Sequence, residues 1–171
     1  MYVSILGILI TNNVWIPLSK SLPQSRIKEI LKSVPPDLLF FDGKDNIEQF
    51  KKYTKKIYSF NQIKNFKPIK DQSLIKKLID DINFEKTAFI YFTSGSTGLS
   101  KGIMVSHINI ISDVFAQIKH LYNFSFVKKD KKLVFGDYYD TAFSIFFDIL
   151  FPAVYLNAAV SPGIKKNEIL L

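Results

Sequence analysis

The stretch TAFIYFTSGSTGLSKGIMVSHINIISDVF, Thr87 to Phe115, constrains the fold more than any other part of the chain. It joins an apolar run of β-branched and aromatic residues, TAFIYF, to a loop of Gly, Ser and Thr that carries one Lys. The segment SHINIISDVFAQIKHLY, which follows closely, has the periodicity of an amphipathic helix. A strand that feeds a helix in this way is the building unit of a parallel sheet. It puts the loop at the carboxyl edge of the sheet, where open α/β sheets bind ligands.

The rest of the chain repeats that alternation. Apolar periodicity predicts a helix over Tyr2 to Ile10, an extended VWIPL, a helix from Pro23 to Val34 and a strand LLFF ending at Phe41. A helix from Asn46 to Lys55, a short strand IYSF and a Lys-rich connector ending near Asp71 come next. SLIKKLIDDI reads as a helix with Leu74, Ile75, Leu78, Ile79 and Ile82 on one stripe. KLVFG is extended, Ser144 to Phe151 is helical, and AVYLNAAV is extended again. The expectation is an α/β fold of layered sheet and helices, largely parallel, with no internal repeat and no linker.

Composition decides what such a fold needs. At 171 residues, 47% of them hydrophobic, the chain can bury a core without help from a metal or disulfide. Cysteine is absent, which excludes disulfides, thiolate metal sites and cysteine nucleophiles and fits a cytoplasmic protein. The apolar stretches MYVSILGILITNN and AFSIFFDILFPAVYL are too short to span a bilayer, and the second contains Asp148. Both read as core elements, so no membrane partner is expected. A formal charge of +8 invites an anionic partner, but it comes almost wholly from Lys in a chain also rich in Asn, Ile and Phe. That profile is a bias of composition rather than a nucleic-acid signal. KKYTKKIYSFNQIKNFKPIK, although it mixes Lys with aromatics as single-strand binders do, reads as a solvated face.

The loop has the inventory of a phosphate site. Gly95, Gly98 and Gly102 let backbone approach a ligand closely, Ser and Thr hydroxyls with backbone N–H groups supply donors, and Lys101 adds a positive charge. Two common phosphate loops fail on spacing. A Walker loop requires Gly directly before Lys and Ser or Thr after it, whereas Ser100 precedes Lys101 and Gly102 follows. The dinucleotide fingerprint G-x-G-x-x-G does not match the glycine spacing either.

The register Ile90-Tyr91-Phe92-Thr93-Ser94-Gly95-Ser96-Thr97-Gly98-Leu99-Ser100-Lys101-Gly102 resembles the phosphate-binding signature of the adenylate-forming enzymes. These include acyl- and aryl-CoA synthetases, luciferases and the adenylation domains of peptide synthetases. Ser100 is the one departure, since the commonest residue there is Pro. WIPLSKSLPQSRIKEILKSVPPDLLFFD and DYYDTAFSIFFDILFPAV are similar to two further family segments, in a form closest to the amino-acid-activating members.

The resemblance implies an ATP-dependent ligase that joins a carboxylate to the α-phosphate of ATP, with Mg2+ accompanying the nucleotide. Thr93, Ser94, Gly95, Ser96, Thr97, Gly98 and Lys101 would hold the phosphates, with Lys101 and Thr97 as the catalytic pair. Tyr139-Asp140 matches the aromatic-Asp pair whose carboxylate takes the substrate's α-amino group. Asp140 as a cap of the following helix, and Asp148 as the acidic residue instead, remain open. His107 reads as a locally bonded first-turn residue, and His120 as a surface one.

The resemblance implies a carboxylic acid substrate, an amino acid in its leading form, and a CoA or carrier-protein thiol as acceptor. It covers a middle slice of the family's N-terminal domain, so residues 1–171 are expected to be a fragment of that domain, without the C-terminal domain and inactive alone. Two alternatives are a noncatalytic module or split subunit completed by a separately encoded C-terminal half, and an acyl-CoA synthetase for an acid without an amino group.

Overall fold

The computed structural model describes residues 2–19, 21–41, 47–63, 65–94, 100–123, 132–137, 139–140 and 145–162. Contacts group the chain into two compact units. The first is Met1–Asn13, Lys20–Ile82 and Phe92–Lys101; the second is Val14–Ser19, Asn83–Tyr91 and Gly102–Leu171.

In the first unit, α1 (Tyr2–Ile10) and α2 (Gln24–Ser33) bury Ile5, Leu9, Ile27, Ile30 and Leu31. Pro23 stands at the N-cap of α2, where its missing N–H costs nothing, and its carbonyl accepts from the Arg26 and Ile27 amides. Strands β1 (Leu39–Phe41) and β2 (Ile57–Ser59) pair in parallel, Phe40 opposite Tyr58. Between them the predicted helix from Asn46 to Lys55 is only a 3-10 turn, Ile47–Phe50. Thr54 explains the early stop. Its buried hydroxyl donates to the Asp37 carbonyl at 3.0 Å and accepts from the Lys56 amide at 3.2 Å, which draws the chain into β2.

A short α3 (Phe60–Ile63) occupies the start of the predicted connector. Asp71 then caps α4 (Gln72–Asp80), its carboxylate accepting from the Ser73 and Leu74 amides at 2.9 and 3.2 Å. The apolar stripe of α4 is not buried: Leu74 and Ile79 are both exposed.

In the second unit, Trp15 bridges in parallel to Phe89 of β3 (Thr87–Ser94). The Trp15 amide donates to the Ala88 carbonyl at 2.9 Å, and the Ile90 amide to the Trp15 carbonyl at 3.1 Å. Strand β4 (Ser100–Ser106) pairs with β3 and runs directly into α5 (His107–Asn123). This strand corrects the sequence reading, which took the chain from loop to helix and had no strand there. Ile103, Met104 and Val105 are suited to a strand by their bulk, but a Gly-rich neighbourhood hides the signal. Ser106 makes the switch to helix: its hydroxyl accepts from the Asn109 amide, and Asn109 Oδ1 accepts from the Ser106 amide at 3.1 Å. That reciprocal pair is a capping box.

Helix α6 (Ile145–Tyr155) packs on α5 and on the parallel pair β5 (Val134–Asp137) and β6 (Ala159–Pro162). Its buried Phe147 stacks on Phe89 with ring centroids 4.0 Å apart, and Trp15 meets it edge-on at 5.4 Å. Truncating Phe147 to Ala would cost about 3–5 kcal/mol, as for other buried aromatics. AVY, predicted as extended, belongs to α6, and Pro152 lies inside the helix fully buried. Among the described residues the strands pair in twos, and two of these pairs are parallel, so the chain is an α/β protein built of small sheets and helices.

Candidate phosphate and acid sites

In the first unit, β3 ends at Thr93 and Ser94, and Thr93 is exposed. Gly95, Ser96, Thr97 and Gly98 lie outside the described residues. Lys101 is the second residue of β4, its side chain exposed, so a strand and not a loop holds its backbone. The residue before it is tied to α2. The Ser100 amide donates to Glu29 Oε1 at 3.0 Å, and the Ser100 hydroxyl to Glu29 Oε2 at 3.3 Å. The Thr93 hydroxyl at one strand end and a cation at the start of the next strand are groups of the kind that bind the oxygens of a polyphosphate.

In the second unit, Asp140 is half-buried, and its carboxylate accepts a hydrogen bond from the hydroxyl of Ser19, which is only 5% exposed. Tyr139 beside it is 49% exposed. The described start of α6, Ile145, is five positions beyond Asp140. The other acidic candidate, Asp148, is on α6 and faces Asp113 and Gln117 of α5. Burial, then the negative charge of Asp113, push its carboxyl above the usual value of 3.8.

His107 opens α5. Its amide donates to the Lys86 carbonyl at 3.1 Å, a partner distant in sequence rather than the local one expected of a first-turn residue. The ring is a different matter: it is 7% exposed, and Nε2 is buried with no hydrogen-bond partner among the described residues. Burial holds its pKa below the ordinary 6.5.

Sequence reasoning missed Ser19 and Glu29. Ser19 follows an apolar extended run and Glu29 sits in a helix between buried Ile27 and Ile30, positions where a polar residue carries no local signal of its distant partner. Among the described residues no group of three His, Asp or Glu could hold a metal ion. No described helix is long and apolar enough to cross a membrane.

Comparison with known proteins joins these features. Residues 1–160 match the family of the AMP-binding enzyme. The nonribosomal peptide synthetase SIDC of Beauveria bassiana is 34% identical over 116 residues, which make up 67% of this chain and 2% of that protein. In three dimensions VinN in complex with L-aspartate is similar with a TM-score of 0.69 and 17% identity, over 96% of this chain and 46% of VinN. The o-succinylbenzoate CoA synthetase from Bacillus subtilis, in complex with its acyl-adenylate intermediate, also gives 0.69 at 14% identity, over 95% of this chain and 40% of that one. The chain spans less than half the length of each of these proteins, and at such identities the solved structures speak to the fold. By the match that covers nearly all of its length, the chain belongs to the AMP-binding family of adenylate-forming enzymes.

Proposed function

We propose that this chain supplies the phosphate grip and part of the acid pocket of an AMP-forming ligase that activates an amino acid. In the reaction a carboxylate oxygen of the substrate attacks the α-phosphorus of ATP, a new acyl–phosphate bond forms, and the bond to the β-phosphate breaks to release pyrophosphate. Such an in-line displacement is accelerated by positioning and by charge stabilisation of the leaving group. Lys101 and the hydroxyls of Thr93, Ser94, Ser96 and Thr97 would hold the phosphates that become pyrophosphate, and Gly95 and Gly98 would let backbone close around them. Magnesium, bound with the nucleotide, would offset phosphate charge.

The observation that carries the amino-acid reading is the half-buried Asp140 carboxylate, held by Ser19 beside Tyr139. A carboxylate half withdrawn from water is suited to pairing with a cation, and a substrate ammonium is such a cation. The resemblance to a peptide synthetase agrees with this reading. Residues 1–171 are then a fragment of the adenylation domain, and the acceptor of the acyl group is a carrier-protein or CoA thiol.

The test is ATP–pyrophosphate exchange by the full polypeptide that carries this chain, with amino acids and their des-amino counterparts as substrates. Exchange with an amino acid, and a rise of about tenfold in KM for magnesium ATP in Lys101→Ala without a change in Tm, is expected. Exchange confined to acids without an amino group would sink the amino-acid assignment and leave an acyl-CoA synthetase. An unchanged KM for ATP in Lys101→Ala would sink the phosphate grip.

A further inference from the structure

The phosphate signature departs from its commonest form at Ser100, where Pro is usual. Serine has two donors that proline lacks, an amide N–H and a hydroxyl. Both are directed to one side chain: the amide to Glu29 Oε1 at 3.0 Å and the hydroxyl to Glu29 Oε2 at 3.3 Å. Glu29 is half-buried on α2, and the neighbouring Ile27, Ile30 and Leu31 anchor that helix in the core of its unit. The two-point contact therefore fastens the first residue of β4 to a rigid element. Lys101 is the next residue.

We infer that Glu29 is a positioning residue for the phosphate loop, and that the Glu29–Ser100 pair does by hydrogen bonding what proline does by covalent geometry. Proline locks φ near −65° through its ring, so the chain entering Lys101 needs no outside restraint. Serine leaves that torsion free, and a carboxylate that accepts from its amide and hydroxyl together removes the freedom. The charge on Glu29 sharpens the case. A carboxylate close to a phosphate site opposes anion binding, and engaging both of its oxygens with donors reduces that opposition. The inference rests on the reading of residues 93–101 as an ATP phosphate grip.

The test compares Glu29→Ala, Glu29→Gln, Ser100→Pro and the double variant Glu29→Ala/Ser100→Pro in the full polypeptide. KM for magnesium ATP and KM for the acid are measured separately by pyrophosphate exchange, with Tm alongside. Glu29→Ala is expected to raise KM for ATP about tenfold, the scale of a lost hydrogen bond to a charged group. KM for the acid stays within about twofold, and Glu29→Gln, which keeps one acceptor oxygen, falls between wild type and Glu29→Ala. The double variant recovers most of the loss, because proline restores the restraint and no carboxylate is left stranded.

An unchanged KM for ATP in Glu29→Ala overturns the inference while leaving the grip itself in place. So does a parallel rise of both KM values with no recovery in the double variant, the mark of a general packing defect. If the wild-type polypeptide shows no ATP-dependent exchange with any acid, the grip and the inference fall together.

Discussion

The Ser19 hydroxyl donates a hydrogen bond to the Asp140 carboxylate across 121 positions of sequence. Ser19 is buried a few residues beyond Trp15, so one side of the carboxylate is held by a residue largely withdrawn from water. If Asp140 receives a substrate ammonium, Ser19→Ala should raise KM for the amino acid about tenfold while KM for its des-amino counterpart stays unchanged. Ser19→Thr, which keeps a hydroxyl, should restore part of the loss. Asp140→Asn should abolish the preference between the two substrates. Pyrophosphate exchange with matched acids reads all three, and a common shift for both acids in every variant would assign the pair a structural role.

How much of this was legible beforehand varies with the range of the interaction concerned. Helices α1, α2 and α5 were visible because a helix buries a stripe of its own residues, and α4, whose stripe is not buried, was visible from the periodicity of that stripe and from Asp71, a cap that is a local event. The parallel pairing of β1 with β2 agrees with the expectation of a largely parallel sheet, although the helix expected between them is only a 3-10 turn. Strand β4 was not visible, since its pairing with β3 is settled by register across Gly-rich sequence rather than by its own side chains. The truncated helix before β2 depends on Thr54 reaching back to Asp37, a contact of 17 positions that periodicity does not encode. In the candidate sites, Thr93, Lys101 and Asp140 were singled out as candidates from motif register, whereas Ser19 and Glu29 act through hydrogen bonds over 121 and 71 positions.

Two asparagines end helices by the same geometry. Asn12 and Asn157 have φ of 55° and 50°. At α1 the Asn12 amide donates to Leu9 and the Asn13 amide to Ile8; at α6 the Asn157 amide donates to Val154 and the Ala158 amide to Ala153. Both are Schellman caps with Asn in the left-handed position. Asn157→Val should therefore lower stability by about 1–2 kcal/mol, the cost of a Cβ-crowded left-handed residue. Asn157→Gly should be neutral or slightly stabilising. Thermal unfolding of the two variants checks this, and a tolerated valine would show that the cap contributes little.

Asp148 on α6 and Asp113 on α5 bring two carboxyls to one helix contact, and Gln117 donates to Asp113 Oδ2 at 2.7 Å. Burial and then the Asp113 charge raise the Asp148 pKa above 3.8, so the folded state holds that proton more tightly than the unfolded chain. The contribution favours folding below the unfolded value and is lost as pH rises through the folded one. At neutral pH the charge on Asp148 is a small cost, because the residue is exposed on α6 and solvent screens it. Asp148→Asn should raise Tm at pH near 7 and lose that advantage in acid, as the native carboxyl becomes protonated. A Tm that falls at neutral pH in Asp148→Asn would show that the carboxylate is stabilised by its surroundings instead.

His107 supplies the opposite pH signature. Its ring is 7% exposed with Nε2 buried and unpartnered among the described residues, and burial lowers its pKa from 6.5. The folded state therefore binds a proton less readily than the unfolded chain, so between the folded value and 6.5 the unfolded state carries more protons. Stability then rises with pH in that window and falls as pH drops through it. Carboxylate titration gives its own losses at lower pH, so the diagnostic interval is about pH 5.5–7.5, where histidine is the main titrating side chain. The wild-type Tm should decline from the top of that interval to the bottom, and His107→Gln should remove most of the decline. His120→Gln serves as the comparison, since His120 is exposed. Equal slopes in wild type and His107→Gln would mean that the His107 ring reaches water when it is charged, and the buried, neutral imidazole at the head of α5 would have to be abandoned.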